Sequence, residues 1–163
     1  SKSEEWKLNK NRIGVMGFSA GGHLAATTST LFDKNMVDIP TDNISGRPDF
    51  SILIYPVIAF TEPFMHAGSR RNLIGEKPDS TLINTFSPEK QITANTPPAF
   101  LVHAADDKTV SVQNSILYYQ SAISHGLKAE MHLYPEGGHG FGLKNKTTTD
   151  YWPDRLIHWL AKY

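Results

Sequence analysis

A serine flanked by glycines, directly after a short apolar run, is the feature that most limits how this chain can fold. The run Ile13-Gly14-Val15-Met16 leads straight into Gly17-Phe18-Ser19-Ala20-Gly21. This G-x-S-x-G pattern places a serine on a sharp turn between a strand and a helix. We expect Gly17 and Gly21 to be required, because a side chain two residues from the serine would collide with the neighbouring strand or helix. A strand-to-helix turn without a catalytic role is the competing interpretation of the pentapeptide alone.

Strands and helices alternate along the rest of the chain. Apolar runs predict strands over residues 13–16, 50–55 and 98–103, and an alternating pattern predicts a fourth strand over 128–134. Helical spacing predicts helices over residues 20–32, 112–125 and 151–162. This order predicts a parallel sheet covered by helices on both sides, a three-layer αβα arrangement. We expect the first three strands to be buried on both faces and the fourth to lie at an edge of the sheet with one face in water.

Apolar periodicity also predicts which side of each helix meets the core. The apolar positions of the first helix, with one threonine, are Leu24, Ala25, Thr28, Leu31 and Phe32. Those of the second are Val112, Ile116, Tyr119 and Ile123, and those of the last are Trp152, Leu156, Trp159 and Leu160. The core side of the fourth strand is expected to carry Ala129, Met131 and Leu133.

Residues 60–97 are irregular and punctuated by proline and glycine, with room for short helices near 71–74 and 80–85. A stretch of this length with little regular structure is often a lid or a binding loop. We therefore expect one domain over residues 1–163 with a lid-like insertion at about 60–97 that shapes the substrate pockets. The sequence assigns no individual substrate-binding residue.

Three chemically active side chains follow three of the predicted strands. Ser19 follows the first, Asp106 and Asp107 the third, and His139 the fourth. Ligands of open parallel sheets gather at the carboxyl ends of the strands, where these residues would meet. Their chain order, Ser then Asp then His, is the order of an α/β-hydrolase triad. The sequence therefore predicts a nucleophile, an acid and a base at one edge of the sheet.

The roles follow from the chemistry of each group. The Ser19 hydroxyl is too weak an acid to attack unaided, and His139 can take its proton and return it to the leaving group. We assign the supporting carboxylate to Asp106 rather than Asp107, because Asp106 comes earlier after the strand and Asp107 can serve as a turn or capping residue. The N–H of Ala20, directly after the nucleophile, is the predicted oxyanion donor.

The remaining histidines receive other interpretations. His23 is expected to pack beside the nucleophile, and His103, at the end of a buried strand, is expected to be a hydrogen-bonded core residue. No pair of histidines has metal-site spacing with a carboxylate to join it. The sequence therefore predicts neither a metal nor any other cofactor.

Composition excludes several classes of partner. The 16 basic and 16 acidic residues cancel, and no basic cluster is interleaved with aromatic residues, so we expect no nucleic acid or membrane partner. No apolar run approaches the ~20 residues that cross a bilayer. The compartment is left open: a soluble protein of bacterial type is expected, and a secreted or periplasmic location is one alternative for the full-length form.

Several longer motifs resemble one family. They are the segment from Gly17 to Ala25, Leu53-Ile54-Tyr55-Pro56-Val57, Ser69 with Asn72-Leu73-Ile74-Gly75, the segment from Pro97 to Asp107, and the segment from Tyr134 to Gly142. Together they are similar to bacterial α/β-hydrolases of the acetyl esterase and acetyl-xylan-esterase type, which are related to the prolyl-oligopeptidase and dienelactone-hydrolase groups. The resemblance implies Ser19, Asp106 and His139 as the triad. It also implies short acyl esters, on plant polysaccharide or small alcohols, as substrates.

The chain differs from the resembled family at its start. Full members carry further strands and an oxyanion loop before the nucleophile strand, so we expect this chain to be their C-terminal part. The open edge of the first strand should then be covered by a second copy or by the missing N-terminal segment. Two alternatives to a serine carboxylesterase stay open: an inactive fragment or strand-exchanged assembly lacking the second oxyanion donor, and a peptidase or amidase.

Overall fold

The computed structural model describes residues 2–34 and 45–163. Four strands form one sheet in the order β1-β2-β3-β4, and all three pairings are parallel. The strands are β1 (Gly14–Phe18), β2 (Phe50–Ile54), β3 (Ala99–Ala104) and β4 (Ala129–Tyr134). The helices are α1 (Ala20–Thr30), α2 (Ala67–Ile74), α3 (Ser80–Thr85), α4 (Gln113–Ser124) and α5 (Trp152–Leu160), with a 3₁₀ turn at Pro88–Lys90. The predicted strand and helix order is confirmed, including the two short helices between β2 and β3.

The core lies on both faces of the sheet. On one face, Leu53 and Leu101 pack with Ala25 of α1 and with Tyr118 of α4. The opposite face is packed against α5, whose buried tryptophans meet the alternate residues of β2 and β3. The apolar cluster on this face includes Ile52 and Ile54 of β2, Phe100 and Val102 of β3, and Trp152 and Trp159 of α5. Alternate residues of a strand point to opposite faces, so two continuous apolar strands can serve both layers.

The first strand is partly exposed, although we expected it to be buried on both faces. Its residues alternate between exposed and partly covered, and Met16 is exposed while Gly17 is buried. Within the described residues β1 pairs with β2 alone and so forms an edge of the sheet. An edge strand has no neighbour to extend the covering layers, which accounts for the exposure.

The fourth strand is an edge as predicted, and Ala129 and Met131 pack against the core as predicted, but the rest of the strand differs. The side expected to be wet packs toward α5: Tyr134 is buried, and the His132 ring lies 5.0 Å from the Phe100 ring. Leu133, expected on the core side, is exposed. Both faces of this edge strand are partly covered by helices. The alternation of polar and apolar residues along β4 therefore does not show which of its faces is buried.

The buried sides of two helices follow the prediction only in part. Of the positions predicted for the first helix, Ala25 and Leu31 are buried, and so is Ala26, but Leu24 is 68% exposed. In α4 the buried residues are Asn114, Ser115, Tyr118 and Ala122, and Ile123 is exposed. The prediction for α5 is confirmed, since Trp152 and Trp159 are both buried.

Asn114 and Ser115 of α4 can be buried because each has a hydrogen-bond partner. The Asn114 side-chain oxygen accepts hydrogen bonds from the N–H groups of Ile58 (2.8 Å) and Ala59 (2.9 Å). Its amide nitrogen donates to the Phe64 carbonyl oxygen at 3.0 Å. A buried polar group with its hydrogen bonds made costs little, so this amide can join α4 to the segment after β2. Among the described helices, none combines the length and apolar character needed to cross a membrane.

Candidate active site

The turn between β1 and α1 holds Ser19 in a strained backbone conformation. Its φ of 53° lies in the left-handed region, which non-glycine residues rarely adopt. The Ser19 N–H donates to the Ile54 carbonyl oxygen at 3.0 Å, and the Ser19 carbonyl oxygen accepts from the Val57 N–H at 3.0 Å. Strain of this kind costs about 1–3 kcal/mol and persists where surrounding contacts enforce it, commonly at functional sites. The sharp turn predicted from the G-x-S-x-G pattern is confirmed.

The turn requires one of the two glycines of the pattern. A Cβ atom on Gly17 would lie 2.0 Å from the backbone oxygen of Gly21, so the strand and the helix meet at this point. At Gly21 the corresponding Cβ would meet nothing within 4 Å, and the expectation that Gly21 lacks room is wrong. The second crowded position is Gly22, whose Cβ would lie 2.8 Å from the Pro56 Cα. The close approach runs through the buried side of α1, whereas Gly21 lies on its exposed side.

Gly17→Ala and Gly21→Ala form a matched pair that tests this packing. Gly17→Ala is expected to lower the free energy of unfolding by about 2 kcal/mol or more, because its methyl group would displace backbone atoms. Gly21→Ala adds the same methyl group to an open position of a helix and should change stability by less than about 1 kcal/mol. Urea denaturation of both variants measures the difference. Equal losses in the two variants would contradict the close approach.

Ser19, His139 and Asp107 form a continuous hydrogen-bonded line. The Ser19 Oγ lies 2.8 Å from His139 Nε2, and His139 Nδ1 lies 2.6 Å from Asp107 Oδ2. The Asp107 side chain is fully buried, whereas the His139 side chain is 20% exposed. A carboxylate in this position favours the imidazole tautomer with the proton on Nδ1, so that Nε2 can accept the serine proton.

The carboxylate of Asp107 is anchored on its other oxygen by the backbone. Asp107 Oδ1 accepts hydrogen bonds from the N–H groups of Thr109 and Val110, both at 2.9 Å. Burial acts to raise the pKa of Asp107, but the hydrogen bonds from His139, Val110 and Thr109 outweigh it and hold the pKa below its ordinary value. The group is therefore a carboxylate at neutral pH and can only accept hydrogen bonds.

The expectation that Asp106 supports the histidine is corrected by these contacts. Asp106 is exposed, and its Oδ1 accepts a hydrogen bond from the Gly138 N–H at 2.7 Å. The turn after β3 directs residue 106 toward solvent and residue 107 inward. Asp107 does serve as the turn residue that we expected, because its Oδ1 accepts hydrogen bonds from two backbone N–H groups. Its second carboxylate oxygen, Oδ2, is still available to His139. Asp106 instead ties down the loop that carries His139.

Tyr55 is a residue of the site that the sequence did not single out. Its ring contacts that of His139 edge-on at a centroid distance of 5.0 Å, and its hydroxyl oxygen accepts from the Gly142 N–H at 3.0 Å. It also has a positive φ, 37°, directly after β2. Burial raises the pKa of Tyr55, so the phenol stays neutral. The sequence signals were its place at the carboxyl end of a strand, before Pro56, and its position within the motif Leu53-Ile54-Tyr55-Pro56-Val57.

His23 packs as expected and connects α1 to the segment 60–97. It is buried and stacks on the Phe60 ring at 4.4 Å, and its Nε2 donates to the Phe86 carbonyl oxygen at 2.9 Å. Burial lowers the pKa of His23, which keeps the ring neutral. A mainly apolar cavity of about 370 Å³ lies next to it. The cavity is lined by Ala20, His23, Leu24, Thr27, Phe60, Ser69, Asn72, Leu73 and Phe86.

Ala20, the predicted oxyanion donor, opens α1. The first N–H groups of a helix have no carbonyl partner within the helix and favour negative charge.

Within residues 2–34 and 45–163, no group of three or more His, Asp or Glu side chains could hold a metal ion.

Comparison with known proteins points to one family. Residues 1–121 match the family model described as BD-FAE. The acetylxylan esterase of Xylanibacter ruminicola is 39% identical over 141 residues, which are 84% of this chain and 27% of that protein. The endo-1,4-beta-xylanase B of Butyrivibrio fibrisolvens is 34% identical over 151 residues, 92% of this chain and 24% of that protein. The chain thus spans about a quarter of the length of these two curated relatives.

A solved structure extends the similarity to the whole chain. The crystal structure of an acetyl ester-xyloside bifunctional hydrolase from Caldicellulosiruptor lactoaceticus superposes with a TM-score of 0.91 at 41% identity. The match covers 99% of this chain and 60% of that one. The parallel sheet and its helices are therefore those of that larger fold.

Proposed function

Since the chain belongs to the BD-FAE family of α/β-hydrolase esterases, we propose that it carries the catalytic residues of a serine carboxylesterase. One observation carries this proposal: Ser19 Oγ, His139 and the buried Asp107 form an unbroken hydrogen-bonded line with distances of 2.8 and 2.6 Å. A strained serine at the start of a helix, hydrogen-bonded to a histidine that is itself oriented by a carboxylate, is the arrangement of an activated oxygen nucleophile.

The reaction follows from these positions. His139 Nε2 takes the Ser19 proton as the oxygen attacks the ester carbonyl, and Asp107 stabilises the imidazolium that forms. The Ala20 N–H donates to the oxyanion of the tetrahedral intermediate. His139 then gives its proton to the departing alcohol, leaving an acyl group on Ser19. Water, activated by the same histidine, hydrolyses that acyl-enzyme.

We infer short acyl esters, including acetyl groups on xylan, as the substrates. The support is the pair of relatives named for this chemistry, an acetylxylan esterase and an acetyl ester-xyloside hydrolase, at 39% and 41% identity. The apolar cavity lined by Leu24 and by Ala20, the residue after the nucleophile, offers a place for the acyl group.

An organophosphonate probe tests the nucleophile in the intact protein. Peptide mapping should find one adduct, on Ser19, and the protein should release acetate from acetylated xylan and from p-nitrophenyl acetate. An adduct on another residue, or no adduct, would overturn the assignment. A proline-peptide anilide cleaved faster than the acetate esters would show a peptidase instead.

A further inference from the structure

His103 is a buried histidine next to the catalytic line that the proposed mechanism does not use. It lies in β3, four residues before Asp107, and its side chain is 0% exposed. Its Nδ1 lies 2.8 Å from Ser115 Oγ on α4. Its Nε2 lies 3.0 Å from the Val110 carbonyl oxygen and 3.3 Å from Asp107 Oδ2. The ring therefore bridges α4, the turn after β3 and the carboxylate of Asp107.

The partners of His103 determine where its proton lies. The Val110 carbonyl oxygen and the Asp107 carboxylate can only accept hydrogen bonds, so Nε2 must carry the hydrogen. Burial lowers the pKa of His103 and keeps the ring neutral, which leaves Nδ1 as an acceptor for the Ser115 hydroxyl. Ser115 thus selects the tautomer with the hydrogen on Nε2, which bonds to the Val110 carbonyl oxygen at 3.0 Å and lies 3.3 Å from Asp107 Oδ2.

The geometry points to a further role in the hydrolysis: we propose that His103, oriented by Ser115, is a positioning residue whose Nε2–H, bonded to the Val110 carbonyl oxygen, is shared with Asp107 Oδ2. This inference rests on the proposed function, because it assigns a task within that site. Two backbone N–H groups bind Asp107 Oδ1, and the rings of His103 and His139 both face Oδ2. The carboxylate cannot rotate without breaking contacts on both oxygens, so His139 always meets the same oxygen.

The shared oxygen also sets how strongly the carboxylate attracts the proton of His139. A second donor on Oδ2 spreads the carboxylate charge, and removing it leaves more charge to hold a proton on the imidazole. His103 and His139 are the titratable side chains in direct contact with this carboxylate, Tyr55 packs against the His139 ring, and Asp106 is its exposed chain neighbour. Loss of the His103 donor should therefore move the acid limb of the kcat/KM profile to higher pH.

The test compares His103→Met with His103→Gln in the intact protein. Met fills the space without a donor, whereas the Gln amide can reach the position of Nε2. We expect His103→Met to lower kcat about 10–100-fold with KM changed less than about threefold, and to move the acid limb upward. His103→Gln should restore most of kcat and the wild-type profile. Activity is divided by the number of sites labelled when the organophosphonate reaction is complete, so that neither unfolded protein nor slower labelling of a variant is counted as lost activity.

Ser115→Ala is the second variant, because it removes the orienting group and leaves the imidazole in place. It should shift kcat and the acid limb in the same direction as His103→Met, to a smaller extent. A normal kcat and pH profile in folded His103→Met, or failure of His103→Gln to restore them, would overturn the proposal.

A proton NMR measurement separates this proposal from the proposed function. The resonance of the His139 Nδ1 proton, shared with Asp107, should move in both His103→Met and Ser115→Ala, whatever ester the protein hydrolyses. An unchanged resonance would refute the positioning role even in an active enzyme. Absence of Ser19 labelling in the wild-type protein would refute the proposed function alone.

Discussion

Ser19→Ala is expected to lower kcat by about 10⁶-fold while leaving the fold intact. The variant removes the hydroxyl oxygen that lies 2.8 Å from the Nε2 of His139, the proton acceptor in the proposed reaction. Residues that act as one unit lose their effect together, so His139→Ala should lose about as much, and the double variant little more. Steady-state hydrolysis of p-nitrophenyl acetate by the three variants measures this.

Ser124→Ala provides the control for Ser19→Ala. Ser124 is an exposed serine at the end of α4, with its hydroxyl bonded to the Ser121 carbonyl oxygen at 2.8 Å. This variant should hydrolyse the ester at the wild-type rate and retain the organophosphonate adduct on Ser19. Additive losses in the Ser19→Ala and His139→Ala double variant would mean that the two residues do not act as a pair.

Asp107→Asn is expected to lower kcat by about 10⁴-fold, and Asp106→Asn by less than about tenfold. The amide group at position 107 would disfavour the tautomer that carries a proton on His139 Nδ1, so Nε2 would no longer accept from Ser19. Asp106 contacts the Gly138 N–H, a bond that an asparagine oxygen can still accept. Values of kcat at neutral pH for the two variants measure the difference.

The two aspartates are adjacent in sequence and chemically alike, so each variant controls for the other. Thermal unfolding should show both folded, and labelling at Ser19 should be slow in Asp107→Asn and near normal in Asp106→Asn. A larger loss in Asp106→Asn than in Asp107→Asn would contradict the observed line of contacts and restore the assignment made from sequence.

The sequence alone could not identify which of these two aspartates contacts His139. Strand ends and chain order indicated that one carboxylate after β3 would meet His139 and Ser19. They could not tell which, because the direction of each side chain depends on the turn at Thr109 and Val110, whose N–H groups bind Asp107. Neighbouring residues in such a turn point in different directions, and no periodicity in the sequence records this.

The sequence was similarly unable to predict all of the residues of α1 and α4 that are buried. Apolar spacing correctly predicted that α1 and α4 exist, but Leu24 and Ile123 are exposed, and Asn114 and Ser115 are buried. A polar side chain is placed inside when another element supplies its hydrogen-bond partner, as Ile58 does for Asn114 and His103 for Ser115. Those partners are distant in sequence, so the spacing within one helix does not reveal them.

By itself, the sequence determined the parallel αβα fold, the sharp turn at Ser19 and the three strand ends that meet at the site. These follow from local patterns: apolar runs, helical spacing, and glycine where strand and helix touch. Only the tertiary structure decided that Asp107 rather than Asp106 faces His139, that Gly22 rather than Gly21 is crowded, and that His103 and Tyr55 surround the line. Each of these depends on contacts between residues far apart in the chain, whose positions exist only after the sheet and helices have packed.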